Sequence, residues 1–135
     1  MSSSIKLSHA IPLTDQTIVK RGGKWVVTHP AFKHRGEGMV AFMAGWCGHC
    51  QRLKPQYDKA ASIAMPDCPM GYVDCVAYPH LASAIGVQGY PTIKMVNSQS
   101  QLTDNYNGDR SFQGLMMKLC TSPGSGPKPG YCSKR

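Results

Sequence analysis

Between Gly38 and Cys120 the spacing of apolar residues changes period in an ordered way. Met39-Val40-Ala41-Phe42-Met43 is an unbroken apolar run closed by Gly45, which predicts a strand buried on both faces. Leu53, Tyr57, Ala60, Ala61 and Ala64 then recur at helical spacing before Pro66, predicting a helix from about Cys47 to Met65 with a kink at Pro55. Met70 to Cys75 reads as a second strand. Pro79 opens a short helix through Ile85, and Gly86 is its natural stop. Thr92–Val96 and Gln101–Tyr106 flank Asn97-Ser98-Gln99-Ser100, the composition of an antiparallel hairpin. Phe112, Leu115, Met116 and Leu119 form a final helical stripe. The order β-α-β-α-β-β-α predicts an α/β domain whose central sheet is partly parallel and carries helices on both faces. Ahead of Gly38, Ile11 and Leu13 suggest one strand, and Lys24 to Thr28 another after the Gly22-Gly23 turn signal.

Composition adds a boundary and a puzzle. The last 15 residues hold three Pro, three Gly and three Ser, too little apolar surface to offset ordering, so residues 1–120 are expected to form one domain and 121–135 a flexible tail. The tail nevertheless carries Tyr131 and Cys132, which a spacer does not require. At 135 residues a chain buries roughly two thirds of its unfolded surface and folds without disulfides, so the 6 cysteines call for another role. The apolar stretch from Met39 to Trp46 is far short of the ~20 residues that span a bilayer. The start Met-Ser-Ser-Ser-Ile-Lys lacks the apolar core of a secretory signal, so the expectation is a chain retained in the cytoplasm. Lys and Arg number 15 against 7 Asp and Glu, a net charge of +8. The charge gathers at Lys20-Arg21, Lys24, Lys33-His34-Arg35, Arg52, Lys54 and the tail's Lys128, Lys134 and Arg135. A solvated basic face is the ordinary meaning, and an acidic partner the alternative; no nucleic-acid motif accompanies it. His9, His29 and His80 carry no spacing signal, and the methionines read as core filler.

Chemistry concentrates in Trp46-Cys47-Gly48-His49-Cys50, where the buried strand gives way to the long helix. Cys47 then falls at a helix N-terminus, whose unpaired N–H groups favour a thiolate, and a charged His49 would favour it further. Cys47 is the candidate nucleophile. Cys50, on the same helix face and less exposed, is suited to attack a mixed disulfide formed by Cys47. The competing readings are ordinary core thiols or half of a zinc site; the latter needs a second close ligand pair, and Cys68 and Cys75 are seven apart rather than three.

The Cys-Gly-His-Cys segment resembles the active site of the protein disulfide isomerase branch of the thioredoxin family. The resemblance continues through Pro55, through Gly86-Val87-Gln88-Gly89-Tyr90-Pro91-Thr92 and through Tyr106-Asn107-Gly108-Asp109-Arg110, covering about residues 37–120. It implies a thioredoxin fold, a cis bond before Pro91, exchange of disulfides with protein substrates and no bound cofactor or metal. It also implies a substrate surface from Trp46, Gly48, Tyr90 and Pro91, and a role for Arg110 in lowering the pKa of Cys50. Three positions depart from the family pattern. Ala41 stands where a buried carboxylate usually accepts the proton of the second cysteine, Tyr72 is nearest to the place of that carboxylate's lysine, and Gln88 stands where many isomerases have arginine. Losing carboxylate and lysine together leaves no lone buried charge, so the fold tolerates it and the kinetics of resolution bear the cost.

Cys75 reads as a small buried hydrophobe. Cys68, Cys120 and Cys132 would lie at the pole opposite the active site in such a fold, where Cys120–Cys132 and Cys68–Cys120 are rival pairings. Direct pairing of Cys68 with Cys75 is disfavoured by an extended strand of roughly 20 Å between them. The resemblance implies a redox site nearer the roughly −180 mV of isomerases than the roughly −270 mV of thioredoxin. A reading from another class keeps the scaffold as a binding or structural module, and the missing signal together with the basic charge suits a protein packaged in the virion of a large cytoplasmic virus.

Overall fold

A computed structural model describes residues 4–33, 37–121 and 132. The expected tail beyond Thr121, apart from Cys132, lies outside the described residues, as do His34, Arg35, Lys128, Lys134 and Arg135 of the basic clusters. The strands are β1 (Ile11–Leu13), β2 (Ile18–Arg21), β3 (Lys24–Val27), β4 (Gly38–Met43), β5 (Met70–Asp74), β6 (Thr92–Val96) and β7 (Leu102–Tyr106). The helices are α1 (Gly48–Ala64), α2 (Pro79–Ile85) and α3 (Phe112–Thr121), with a 3-10 turn at Pro30–Phe32.

Five strands form one mixed sheet in the order β1-β5-β4-β6-β7. β4 is its centre, parallel to β5 and antiparallel to β6. All six of its residues are buried, as the continuous apolar run requires. Because side chains alternate across a strand, the run divides between two cores. Met39, Ala41 and Met43 pack with Leu53, Tyr57 and Ala60 of α1 and with Leu115 and Leu119 of α3. Val40 and Phe42 pack on the other face with Leu81 and Ala82 of α2, Phe32, and Ile18 and Val27 of the β2–β3 hairpin.

The helix ends follow local chemistry. Pro79 occupies the first turn of α2, and Gly86 ends it at φ 97°, a left-handed conformation that a Cβ disfavours. α1 continues through Pro55 and is flanked by Cys47 and Met65 as its caps. Ser111 opens α3, its Oγ accepting from the Gly114 N–H at 3.1 Å.

Residues 4–33 hold more order than their pattern announces. β2 was not expected: Ile18-Val19 is followed directly by Lys20-Arg21 and offers little alternation. It pairs with β3 in register Ile18↔Val27 through Arg21↔Lys24, turning through Gly22 (φ 56°) and Gly23 (φ 79°). Two positive φ values in succession are what a two-residue hairpin turn needs, so Gly22-Gly23 was itself the signal for a strand on either side. Upstream, the Asp58 carboxylate of α1 accepts from the N–H groups of Ser8, His9 and Ala10 at 2.9, 2.8 and 3.0 Å. This pins the chain over the α1 face. Among the described residues, no helix is long and apolar enough to cross a membrane.

Candidate active site

β4 delivers the chain to α1 through Ala44-Gly45-Trp46, and Cys47 becomes the helix N-cap with extended dihedrals (φ −91°, ψ 124°). No side chain caps this end, which leaves the first amides of α1 directed at the Cys47 sulfur. The Cys47 Sγ is partly exposed and lies 3.5 Å from the Tyr90 carbonyl oxygen. Cys50, one turn on, is fully buried and its Sγ accepts from the Ala44 N–H at 3.4 Å.

These surroundings push the two thiols apart. The Cys50 amide does most to stabilise the Cys47 thiolate; with the His49 amide, the Cys50 thiol and the Arg52 charge it outweighs partial burial, so the Cys47 pKa falls below its usual value. Burial dominates at Cys50 and pushes its pKa up to about 11, against a weaker opposing effect of the Ala44 amide.

The His49 Nδ1 lies 2.8 Å from the Arg52 guanidinium; arginine can only donate, so this nitrogen accepts. The cation that reaches Cys47 is Arg52, and His49 contributes through its main-chain N–H. The i, i+3 spacing of His49 and Arg52 on α1 was the available signal for their meeting.

Tyr90 and Pro91 face the helix terminus across a cis peptide bond. The exposed Trp46 ring meets Tyr90 edge-on, with centroids 5.9 Å apart and planes at 82°. Tyr90 reaches inward to the buried Cys75, whose pKa is pushed up to about 12 chiefly by burial, the Tyr90 hydroxyl opposing this. That contact between the groove and a core thiol was not apparent in sequence. Gly89 to Ile93, with Asn105, Tyr106, Asn107 and Arg110, line a depression of about 290 Å³. The Arg110 Nη2 donates to the Pro91 carbonyl at 3.3 Å. Its lowering effect on Cys50 is the smallest of that thiol's several influences. Gly48 is exposed at the first position of α1, directly after Cys47, and Tyr90 meets both the Cys47 sulfur and the Trp46 ring, while Arg110 reaches this group through the Pro91 carbonyl.

Beneath the thiols the floor is apolar. Ala41 is fully buried and pairs in register with Tyr72 of the neighbouring strand. The Tyr72 hydroxyl accepts from the Leu7 N–H at 3.3 Å, and the Asp74 carboxylate from the Ile5 N–H at 3.3 Å. The segment pinned by Asp58 thus closes this side with Ile5, which is buried in the same core as Ala41 and Cys50.

Cys120 and Cys132 form a disulfide with Cα atoms 5.3 Å apart, which decides between the rival pairings. Cys68 is buried at the entry to β5. Among the described residues no group of three or more His, Cys, Asp or Glu side chains is arranged to hold a metal ion.

The fold has relatives among known proteins. The chain is 40% identical to human protein disulfide-isomerase A6 over 78 residues, which are 58% of this chain and 18% of that protein. It is 43% identical to a mitochondrial thioredoxin domain-containing protein of Schizosaccharomyces pombe over 89 residues, 62% of this chain and 24% of the relative. It therefore spans less than a quarter of either. Among solved structures, the Trx4 domain of ERdj5 superposes with a TM-score of 0.59 at 27% identity, covering 78% of this chain and 87% of that domain. Human ERp44 shares the fold, with a TM-score of 0.68 at 21% identity over 88% of this chain and 31% of the other. The thioredoxin family model matches residues 28–120, from the end of the hairpin to the end of α3 and across both thiols, and the chain belongs to the thioredoxin family.

Proposed function

We propose that the chain is a thiol-disulfide oxidoreductase of protein disulfide isomerase type, acting on protein substrates through Cys47 and Cys50. The observation that carries this reading is the asymmetry of the two sulfurs: one partly exposed with its thiolate favoured, the other buried and held protonated one helical turn away. The Cys47 thiolate attacks a substrate disulfide, forming a mixed disulfide and expelling one substrate thiolate. Cys50 then loses its proton and attacks the Cys47 sulfur, expelling the second substrate thiolate and leaving a Cys47–Cys50 disulfide. The same steps in reverse oxidise a substrate dithiol. With Ala41 and Tyr72 below it, Cys50 has no buried carboxylate to take its proton, and the departing substrate thiolate is the acceptor at hand.

A redox titration in glutathione buffers, with alkylation and mass spectrometry of the trapped thiols, tests the proposal. The expected result is a reversible Cys47–Cys50 disulfide near the roughly −180 mV of isomerases, and a Cys50→Ser chain that accumulates mixed disulfides through Cys47. A midpoint near roughly −270 mV would make the domain a reductant. Absence of reversible pairing, with partners retained by Cys47→Ala, would transfer the chain to the binding modules.

A further inference from the structure

A second groove begins where the first ends. His49, Arg52 and Gln56 of α1 face Arg110, Ser111 and Gln113 at the start of α3 across about 480 Å³. Arg110 lines both this groove and the Tyr90–Pro91 depression, so the two share a wall. Among the described residues no carboxylate lines it. Among the described residues, its two guanidinium groups meet the His49 Nδ1 and the Pro91 carbonyl, acceptors that bring no negative charge. The nearest carboxylate in sequence, Asp109, is occupied by the Ser111 N–H at 2.9 Å and the Ser111 hydroxyl at 2.7 Å, and it lines a separate depression with Met117 and Lys118. Gln56 and Gln113 add neutral polar walls. Gln56 Oε1 already accepts from the Phe112 N–H at 2.7 Å, which fixes the spacing between the helices.

Resting on the exchange function above, we propose that this groove selects acidic protein segments, receiving carboxylate side chains that flank the reactive substrate cysteine on Arg52 and Arg110. A substrate strand laid along Tyr90–Pro91 to place its sulfur at Cys47 passes Arg110, and side chains beyond the cysteine enter the groove. Guanidinium groups without carboxylate partners, in a concave site, offer bidentate recognition that an exposed lysine face does not. The chemistry therefore favours an acidic peptide over a merely anionic surface.

The test uses disulfide-linked peptides that differ only in two residues flanking the cysteine, carrying Asp, Asn or Lys, with the Asn peptide as the reference for each protein variant. Taking the ratio removes the effect of Arg52 on the Cys47 thiolate. At low ionic strength the acidic peptide is expected to react about tenfold faster than the basic one, and the ratio to approach unity in about 1 M salt, where the screening length is about 3 Å. Arg52→Gln combined with Arg110→Gln abolishes the preference. Lys20→Gln combined with Lys24→Gln removes as much charge from the hairpin on the other sheet face and leaves the preference intact. Equal rates for acidic and basic peptides, a preference that survives the arginine changes, or one lost equally in the hairpin control would each overturn the proposal. Calorimetric binding to a Cys47→Ser chain separates the two levels of inference. If no peptide exchanges, the exchange function falls, while selective heat with the acidic peptide sustains the groove and its absence refutes it.

Discussion

Cys47 and Cys50 share a helix turn but not a solvent. One sulfur receives main-chain N–H groups at the rim, and the other sits in an apolar floor with a single weak donor. Alkylation followed across pH should therefore split them. Cys47 labels with a midpoint below its ordinary 9.0, whereas Cys50 stays unlabelled until the pH approaches about 11; mass spectrometry of the labelled peptides reads both, and coincident curves would contradict the asymmetry. Cys47, Cys50 and the Tyr90–Pro91 pair were legible in sequence because motif and spacing name them. The source of positive charge at Cys47 was not. Whether His49 or Arg52 faces the thiol depends on side-chain directions at the first turn of α1, which residue types do not specify. The inward reach of Tyr90 to Cys75 was hidden for the same reason, since it joins the end of β5 to the entry of β6, strands that the sheet order sets on either side of β4.

At the scale of elements, periodic segments were readable and pinned segments were not. β4, α1, β5, α2, β6, β7 and α3 announce themselves by apolar spacing and by Pro79 and Gly86, whereas β2 depends on pairing with β3. Residues 5–10 have no periodicity to read because their order comes from side chains of β5 and α1 that accept their N–H groups. Burial opposes the charged form of Asp58, but the N–H groups of Ala10, His9 and Ser8 outweigh it and hold its pKa below the ordinary 3.8. A carboxyl with a lower pKa in the folded state stabilises the protein above that ordinary value and loses the contribution as pH falls through the folded value. Asp58→Ala should lower stability at neutral pH by about 1 kcal/mol, a figure discounted for the partial solvent access of the carboxylate. The difference from the parent should shrink as the pH is taken from neutral to well below 3.8, where the carboxyl becomes protonated. Chemical denaturation at both pH values measures it; an unchanged difference at low pH would mean that packing, not the charge, anchors the segment.

Across the whole molecule the chemistry and the Cys120–Cys132 bridge are separated by the length of α3, which starts at the basic groove and runs ten residues, about 15 Å. Cys120→Ser with Cys132→Ser should thus leave the Cys47–Cys50 exchange rate unchanged while lowering the melting temperature, because a closed loop no longer restrains the unfolded chain. Rates that fall with the bridge would tie α3's far end to the site. Trp46 has a different consequence. The chain has 2 tryptophans; Trp25 belongs to the hairpin against the opposite core, while Trp46 is 67% exposed and adjoins the candidate nucleophile in sequence. The protein thus carries an intrinsic optical probe at its working end, and replacing Trp25 by Phe would leave an emission spectrum belonging to that end alone.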